Sequence, residues 1–350
     1  MTELVELQYQ QEYPYLEQTL SWREGMRYRY SPDQYPLTLR QANAMREAGC
    51  LVGIFLQNEY GNKFAEFRLD FVQNEQRELF ITEIQTDDRG LPAIANVRNS
   101  KGESPDFPGI VPSFIEGLKI ITRKNDPSLV VIFPEEEYFY YTGFYDFARI
   151  ANTYDPDIAL SIFPDSAIHY SGDAVVASQN GAFITMRPDL IWDFTNMNGD
   201  FQPLVTKQPL VDIWRSSSSL ACELRQFIPY TTLPDKAEVK ALKKDWILKP
   251  IAGRWSKGVV LGFREDEVDW KKSCETPDLI AQRYILPYSE CFNYRNSRGN
   301  FEKGAFFARI EGYYTLTSKG FNLVDILVTC TPEVPVHGRR DCIMIPARII

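Results

Sequence analysis

Residues 246–260 read Trp-Ile-Leu-Lys-Pro-Ile-Ala-Gly-Arg-Trp-Ser-Lys-Gly-Val-Val and combine the residue types that hold a polyphosphate. A short apolar run ends in Lys249-Pro250, a loop with two glycines and two cations follows, and a second strand is predicted to open at Val259. Gly253 and Gly258 let the backbone bend sharply and approach a ligand closely. Lys249, Arg254 and Lys257 supply positive charge for phosphate oxygens. Most phosphate loops open a helix. This one joins two strands, so it would close over phosphates as a hairpin flap. An ordinary basic hairpin turn has the same composition, and the segment alone leaves both readings open.

A second set of chemistry-bearing residues lies earlier. Arg68-Leu69-Asp70 falls in one predicted strand and Glu83-Ile84-Gln85 in the next. A period of two puts Arg68 with Asp70, and Glu83 with Gln85, on single faces. If those faces coincide, Asp70, Glu83 and Gln85 offer three oxygen ligands of the hard kind that magnesium prefers, completed by phosphates and water. Opposed carboxylates on a sheet repel, so a cation or Arg68 must sit among them. A solvated strand face with an Arg–Asp pair remains the alternative. Further on, the apolar strand carrying Gln282, Arg283, Tyr284 and Ile285 could offer backbone donors and acceptors to an adenine, and Arg309 is a candidate phosphate contact.

The elements that would position these residues follow from periodicity. Apolar residues spaced through 37–49 predict a helix stopped by Gly49. Alternation predicts strands over 64–72 and 79–85, with a turn at 73–77. Residues 87–109 are rich in Gly, Pro, Asn and Ser and read as a long loop, a place where function often resides. A buried-type strand at 129–133, an aromatic helix at 135–152 and strands at 158–163 and 182–186 suggest a small unit with parallel pairing. A helix over 210–227 is predicted behind Pro209. Strands at 279–286, 306–314 and 323–329 follow, with a polar insertion at 293–303.

Bulk properties narrow the function classes. A chain of 350 residues exceeds the usual single-domain size. Its 44% hydrophobic and 24% charged content is that of a soluble globular protein. A net charge of −9 argues against a nucleic-acid partner. No apolar run reaches membrane-spanning length, and the start is not a signal peptide. Six scattered cysteines and two histidines form no zinc pattern, so reduced thiols and a cytoplasmic location are expected.

The order of these motifs resembles the circularly permuted ATP-grasp family, the branch with the synthetase domain of glutathionylspermidine synthase. That family has an Arg-x-Asp-Phe hairpin, then Glu-x-Asn-Ala-Asp-Thr-Pro, a small Rossmann-like domain, a Lys-Pro…Gly-rich flap and a Gln- or Glu-bearing hinge strand. Here the corresponding segments are Phe67-Arg68-Leu69-Asp70-Phe71, then Glu83-Ile84-Gln85 through Pro92, the strand Leu129-Val130-Val131-Ile132-Phe133-Pro134, Leu248-Lys249-Pro250 through Val259, and Gln282-Arg283-Tyr284-Ile285. The resemblance runs in order over roughly residues 60–350.

It implies an α/β (α+β) fold in three parts: 1–125 with the metal-binding hairpin and substrate loop, 126–200 as an inserted Rossmann-like domain, and 201–350 as the nucleotide-binding part. It also implies ATP and magnesium. Asp70, Glu83 and Gln85 would hold the metal, and Arg68 would stabilise the acyl phosphate or the oxyanion. Lys249 would hold the α- and β-phosphates. The loop from Gly253 through Arg254, Ser256 and Lys257 to Gly258 would cover them, and Gln282 to Ile285 would line the adenine slot. Three departures stand out. Gln85 replaces Asn, the flap carries bulky Trp255, and the second phosphate lysine has no clean match, with Lys207 and Arg215 as substitutes.

The expected activity is ATP-dependent ligation of a small-molecule carboxylate to an amine through an acyl phosphate, with no nucleic-acid or membrane partner and an undetermined oligomeric state. Arg89, Arg98 and Lys101 in the long loop are candidates for an acidic substrate. No amidase-like domain precedes residue 60, which suggests a stand-alone synthetase. A nucleotide-binding regulatory or interaction module that has lost the reaction is the alternative.

Overall fold

The computed structural model describes residues 29–30, 34–61, 65–86, 108–134, 138–171, 174–179, 182–193, 207–251, 258–295, 301–334 and 343–350. These form a mixed α/β architecture of seven α-helices and eighteen strands in four sheets. No described helix is long and apolar enough to cross a membrane.

The largest sheet has eight strands. Its main path runs β1 (Arg29–Tyr30), β18 (Ile343–Ile349), β17 (Gly320–Thr331), β16 (Phe301–Thr317), β3 (Glu66–Gln73) and β4 (Leu79–Gln85). β2 (Tyr35–Leu37) pairs with β18, and β15 (Ser289–Arg295) pairs with the first half of β16. The polar stretch predicted as an insertion at 293–303 is therefore partly strand: Asn293 pairs with Lys303 and Arg295 with Phe301. Its alternation carries few apolar residues, which hid it in the sequence.

One face of this sheet is apolar. Phe67, Leu69 and Phe71 of β3 meet Tyr314, Gly312 and Ile310 of β16, and all the side chains here are buried. Helix α1 (Leu39–Tyr60) packs on this face, opened by Thr38, whose hydroxyl accepts from the Gln41 N–H in a capping box. It does not stop at Gly49 as predicted. A Cβ there would lie 1.9 Å from the Tyr314 ring, and one at Gly53 would lie 2.2 Å from Phe321. Both glycines thus serve close helix–sheet packing, and the helix ends at Gly61, where φ is +90°. Helix α2 (Ile110–Thr122) lies against β16 further along.

A parallel three-stranded sheet follows, in the order β10 (Leu190–Asp193), β5 (Ser128–Phe133), β6 (Ala159–Pro164), with α3 (Tyr138–Tyr154) between β5 and β6. The strand predicted at 182–186 is not its third member. That strand, β9 (Ala182–Met186), closes an antiparallel meander with β7 (Ile168–Ser171) and β8 (Ala174–Gln179). β10, too short to stand out by period, takes the parallel position. The core continues between the two units through edge contacts of Phe114 with Phe147 and Trp192.

The helix predicted over 210–227 is two helices, α4 (Gln208–Arg215) and α5 (Ser219–Leu224). Ser216 and Ser218 are extended, and the Ser218 hydroxyl accepts from the Ala221 N–H as the cap of α5. Serine favours caps because its hydroxyl competes with the helix backbone. The last sheet, β11 (Thr231–Thr232), β14 (Leu279–Arg283), β12 (Trp246–Pro250) and β13 (Val260–Leu261), is backed by α6 (Ala237–Ala241) and α7 (Glu267–Cys274), with Trp246 and Trp270 in its small core.

Candidate functional site

The second face of the large sheet is polar and mostly buried. The pairing register sets Asp70 opposite Glu83 and Arg68 opposite Gln85, so the four predicted residues do share one face. On the other side of β3, Asp70 pairs with Glu311 and Arg68 with Tyr313, and Arg309 stands opposite Val72. A row of charged groups therefore crosses β4, β3 and β16 while the reverse face stays apolar.

Arg68 is the centre of one half. Its Nε donates to Asp70 Oδ1 at 2.8 Å, and its Nη1 lies 3.4 Å from Glu311 Oε2. Arg309 donates through Nη2 to Glu311 Oε1 at 2.5 Å, and its Nη1 lies 3.6 Å from Asp70 Oδ2. Glu311 also accepts from the Tyr313 hydroxyl at 3.0 Å and the Thr329 hydroxyl at 2.7 Å. Burial alone would push Glu311 up, but the two guanidiniums and the Thr329 hydroxyl hold it at about 2. Asp70 behaves differently: burial raises its carboxyl against the opposing pull of Arg68 and Arg309.

Glu83 is the centre of the other half. Lys207 approaches it from the N-cap of α4, with Nζ 3.2 Å from Oε1. Gln85 donates its amide nitrogen to the same oxygen at 3.1 Å. Lys249 projects from β12 on the face opposite Trp246 and Leu248. Its Nζ donates to Gln282 Oε1 at 2.7 Å and to the Thr82 carbonyl at 3.0 Å, which brings it beside Glu83. Burial drives Glu83 up, yet Lys207 and Lys249 outweigh it and leave the carboxyl below its ordinary range. Lys249 is lowered to about 8, first by burial and then by the charge of Lys207, despite Glu83 and Asp70.

The structure thus brings together Arg68, Asp70, Glu83, Gln85, Lys249, Gln282 and Arg309. Arg283 turns to the reverse face of its sheet, paired with Asp245 at 2.6 Å and lying over the Trp246 ring. Tyr284 packs on Phe263 and gives its backbone N–H to the Asp245 carbonyl, and half-buried Ile285 follows it. Gly258 has φ +76°, the left-handed region that favours glycine. Gly253, Arg254, Ser256 and Lys257 lie outside the described residues, as do Arg89, Arg98 and Lys101. Of the two substitute cations, Lys207 joins the site and exposed Arg215 does not.

Glu311 escaped the sequence reading, although Arg309, Glu311 and Tyr313 alternate through an otherwise apolar strand, and that was its signal. Among the described residues, no group of three or more His, Cys, Asp and Glu side chains is arranged to hold a metal ion. Asp70 and Glu83 supply two carboxylates of the right kind, but the third predicted ligand, Gln85, turns its nitrogen rather than its oxygen toward Glu83.

No protein-family model matches the chain, and no curated protein matches it.

Proposed function

We propose that the chain is an ATP-dependent carboxylate–amine ligase with a circularly permuted ATP-grasp fold, acting through an acyl phosphate. The observation that carries this reading is the convergence on Glu83 of two buried lysines from separate elements, Lys207 from the start of α4 and Lys249 from β12. Two ammonium groups that repel each other in a buried site form a receptor for an anion of higher charge than one carboxylate. A polyphosphate fits that requirement.

ATP supplies the phosphoryl group that turns a carboxylate into a mixed anhydride, from which an amine displaces phosphate. Lys207 and Lys249 hold the phosphates. Asp70 and Glu83, with the Gln85 amide rotated, are the oxygens that fit magnesium arriving with the nucleotide. Arg68, opposite Gln85 at the end of β4, presents a planar guanidinium to the oxygen on which charge develops. The Arg283 and Tyr284 N–H groups already go to the Tyr230 and Asp245 carbonyls, so neither donor is offered to a purine.

Replacing Lys207 with Ala should weaken ATP binding by on the order of 10–100-fold, the scale of a charge-assisted contact. Arg215→Ala should leave it unchanged. Calorimetric titration of both variants tests the site, and phosphate release with candidate acids and amines tests the reaction. Equal affinities in the two variants would remove Lys207 from the site. The second reading, a nucleotide-binding module without turnover, draws on Arg68 being held already by Asp70 and Glu311. ATP binding with no phosphate release would favour it.

A further inference from the structure

Behind Lys249 lies a buried relay of neutral groups with a fixed direction. The Thr231 hydroxyl donates to the Pro229 carbonyl at 2.8 Å. A threonine hydroxyl has one proton, so toward any other partner Thr231 can only accept. That partner is Gln282, which stands opposite it across β11 and β14 and donates Nε2 to Oγ1 at 3.2 Å. The amide orientation is then set. Gln282 must direct its oxygen the other way, where Lys249 Nζ donates to it at 2.7 Å. Thr231 and Gln282 are each 1% exposed, so water does not replace either bond freely.

We infer that Thr231 is a positioning residue for the polyphosphate site, acting through the Gln282 amide to fix the Lys249 ammonium. The inference rests on the nucleotide reading above and adds a residue that touches neither phosphate nor base. Its logic is polarity rather than packing. If the Gln282 amide turned over, its NH2 would face the ammonium, and two donors would oppose each other in a buried site. Lys249 also faces Glu83 and Asp70 on the large sheet and Lys207 on α4, which pull and push on the same charge. The neutral relay fixes the ammonium without adding another charge to that set.

The test is a double-mutant cycle on ATP affinity with magnesium, measured by calorimetry on the full chain. The four proteins are the wild type, Thr231→Val, Lys249→Ala and the double variant. Thr231→Val keeps the shape and removes the hydroxyl. It should weaken ATP binding about tenfold, the worth of one buried hydrogen bond, when Lys249 is present. In the Lys249→Ala background the same change should have less than about a twofold effect, because the two residues act as one unit. Thr231→Ser should restore wild-type affinity.

A Thr231→Val effect of equal size in both backgrounds would overturn the positioning role, and so would no effect in either. Where Thr231→Val does not fold, Thr231→Ala with the Thr231→Ser control gives the same cycle. A wild-type protein that binds no ATP would instead overturn the nucleotide reading itself, so the two failures are distinguishable.

Discussion

Asp70 and Glu83 stand directly opposite each other on neighbouring antiparallel strands, yet burial wins at Asp70 and charge wins at Glu83. Two carboxylates paired across a sheet should repel. They coexist because each faces its own cations: Arg68 and Arg309 on one side, Lys207 and Lys249 on the other. The pair therefore marks the seam between the arginine half and the lysine half of the site. Neutralising its two members should have unequal consequences.

Glu83→Gln should destabilise the protein by roughly 1–3 kcal/mol, since it leaves Lys207 and Lys249 crowded together with less counter-charge. Asp70→Asn should cost little, because the native carboxyl is already disfavoured as an anion and Arg68 keeps Glu311. Both variants should lose ATP turnover. Urea denaturation, with equal slopes for the two proteins, measures the difference. A larger loss for Asp70→Asn would reverse the assignment of the lysines to Glu83.

The pattern of β3 and β4 was legible because alternation survives in sequence, and it placed Arg68 with Asp70 and Glu83 with Gln85. The register between those strands was not, since pairing is decided by contacts far apart along the chain. Glu311 was missed for the same reason: it becomes part of the site only when β16 docks beside β3, some 240 residues after Asp70 in sequence. Lys207 could be suspected from its place before Pro209, a helix-start signal, but its reach to Glu83 depends on where α4 packs. Gly49 misled because glycine both stops helices and permits close packing, and only the Tyr314 ring distinguishes the two.

That distinction is directly measurable. Gly49→Ala should destabilise the fold by at least about 1–3 kcal/mol, the cost of overpacking, because the new methyl meets Tyr314, whose hydroxyl is tied to the Met45 carbonyl. Alanine is otherwise the better helix former. A thermal melt showing Gly49→Ala as stable as the wild type would mean that α1 sits further from the sheet.

Lys249 predicts a pH dependence of binding. Its folded value of about 8 lies below the ordinary lysine value of 10.5. Between those values the unfolded chain holds more protons at this site than the folded one, so this group's contribution to stability rises with pH over that window. Phosphate oxygens favour the charged form and push the value back up. ATP binding near pH 8.5 should therefore take up protons. Calorimetry in two buffers of different ionisation enthalpy reads that uptake, and Lys249→Ala should abolish most of it. Uptake unchanged in that variant would assign the protons elsewhere.

Arg68 carries the sharpest test of turnover. Its guanidinium reaches Asp70 through Nε and Glu311 through Nη1, a span that needs a planar fork with several donors. Lysine keeps the charge but offers a single compact ammonium. If Arg68 stabilises the oxygen that becomes charged when the amine attacks, Arg68→Lys should bind ATP almost normally and lose about 100-fold or more in turnover, the scale of one removed oxyanion donor. If Arg68 only joins Asp70 to Glu311, the variant should melt earlier and keep most of its rate. The lysines proposed to hold phosphate lie on the far side of the Asp70–Glu83 pair, so ATP affinity serves as the internal control. Melting temperature, affinity and rate measured on one preparation separate the two roles.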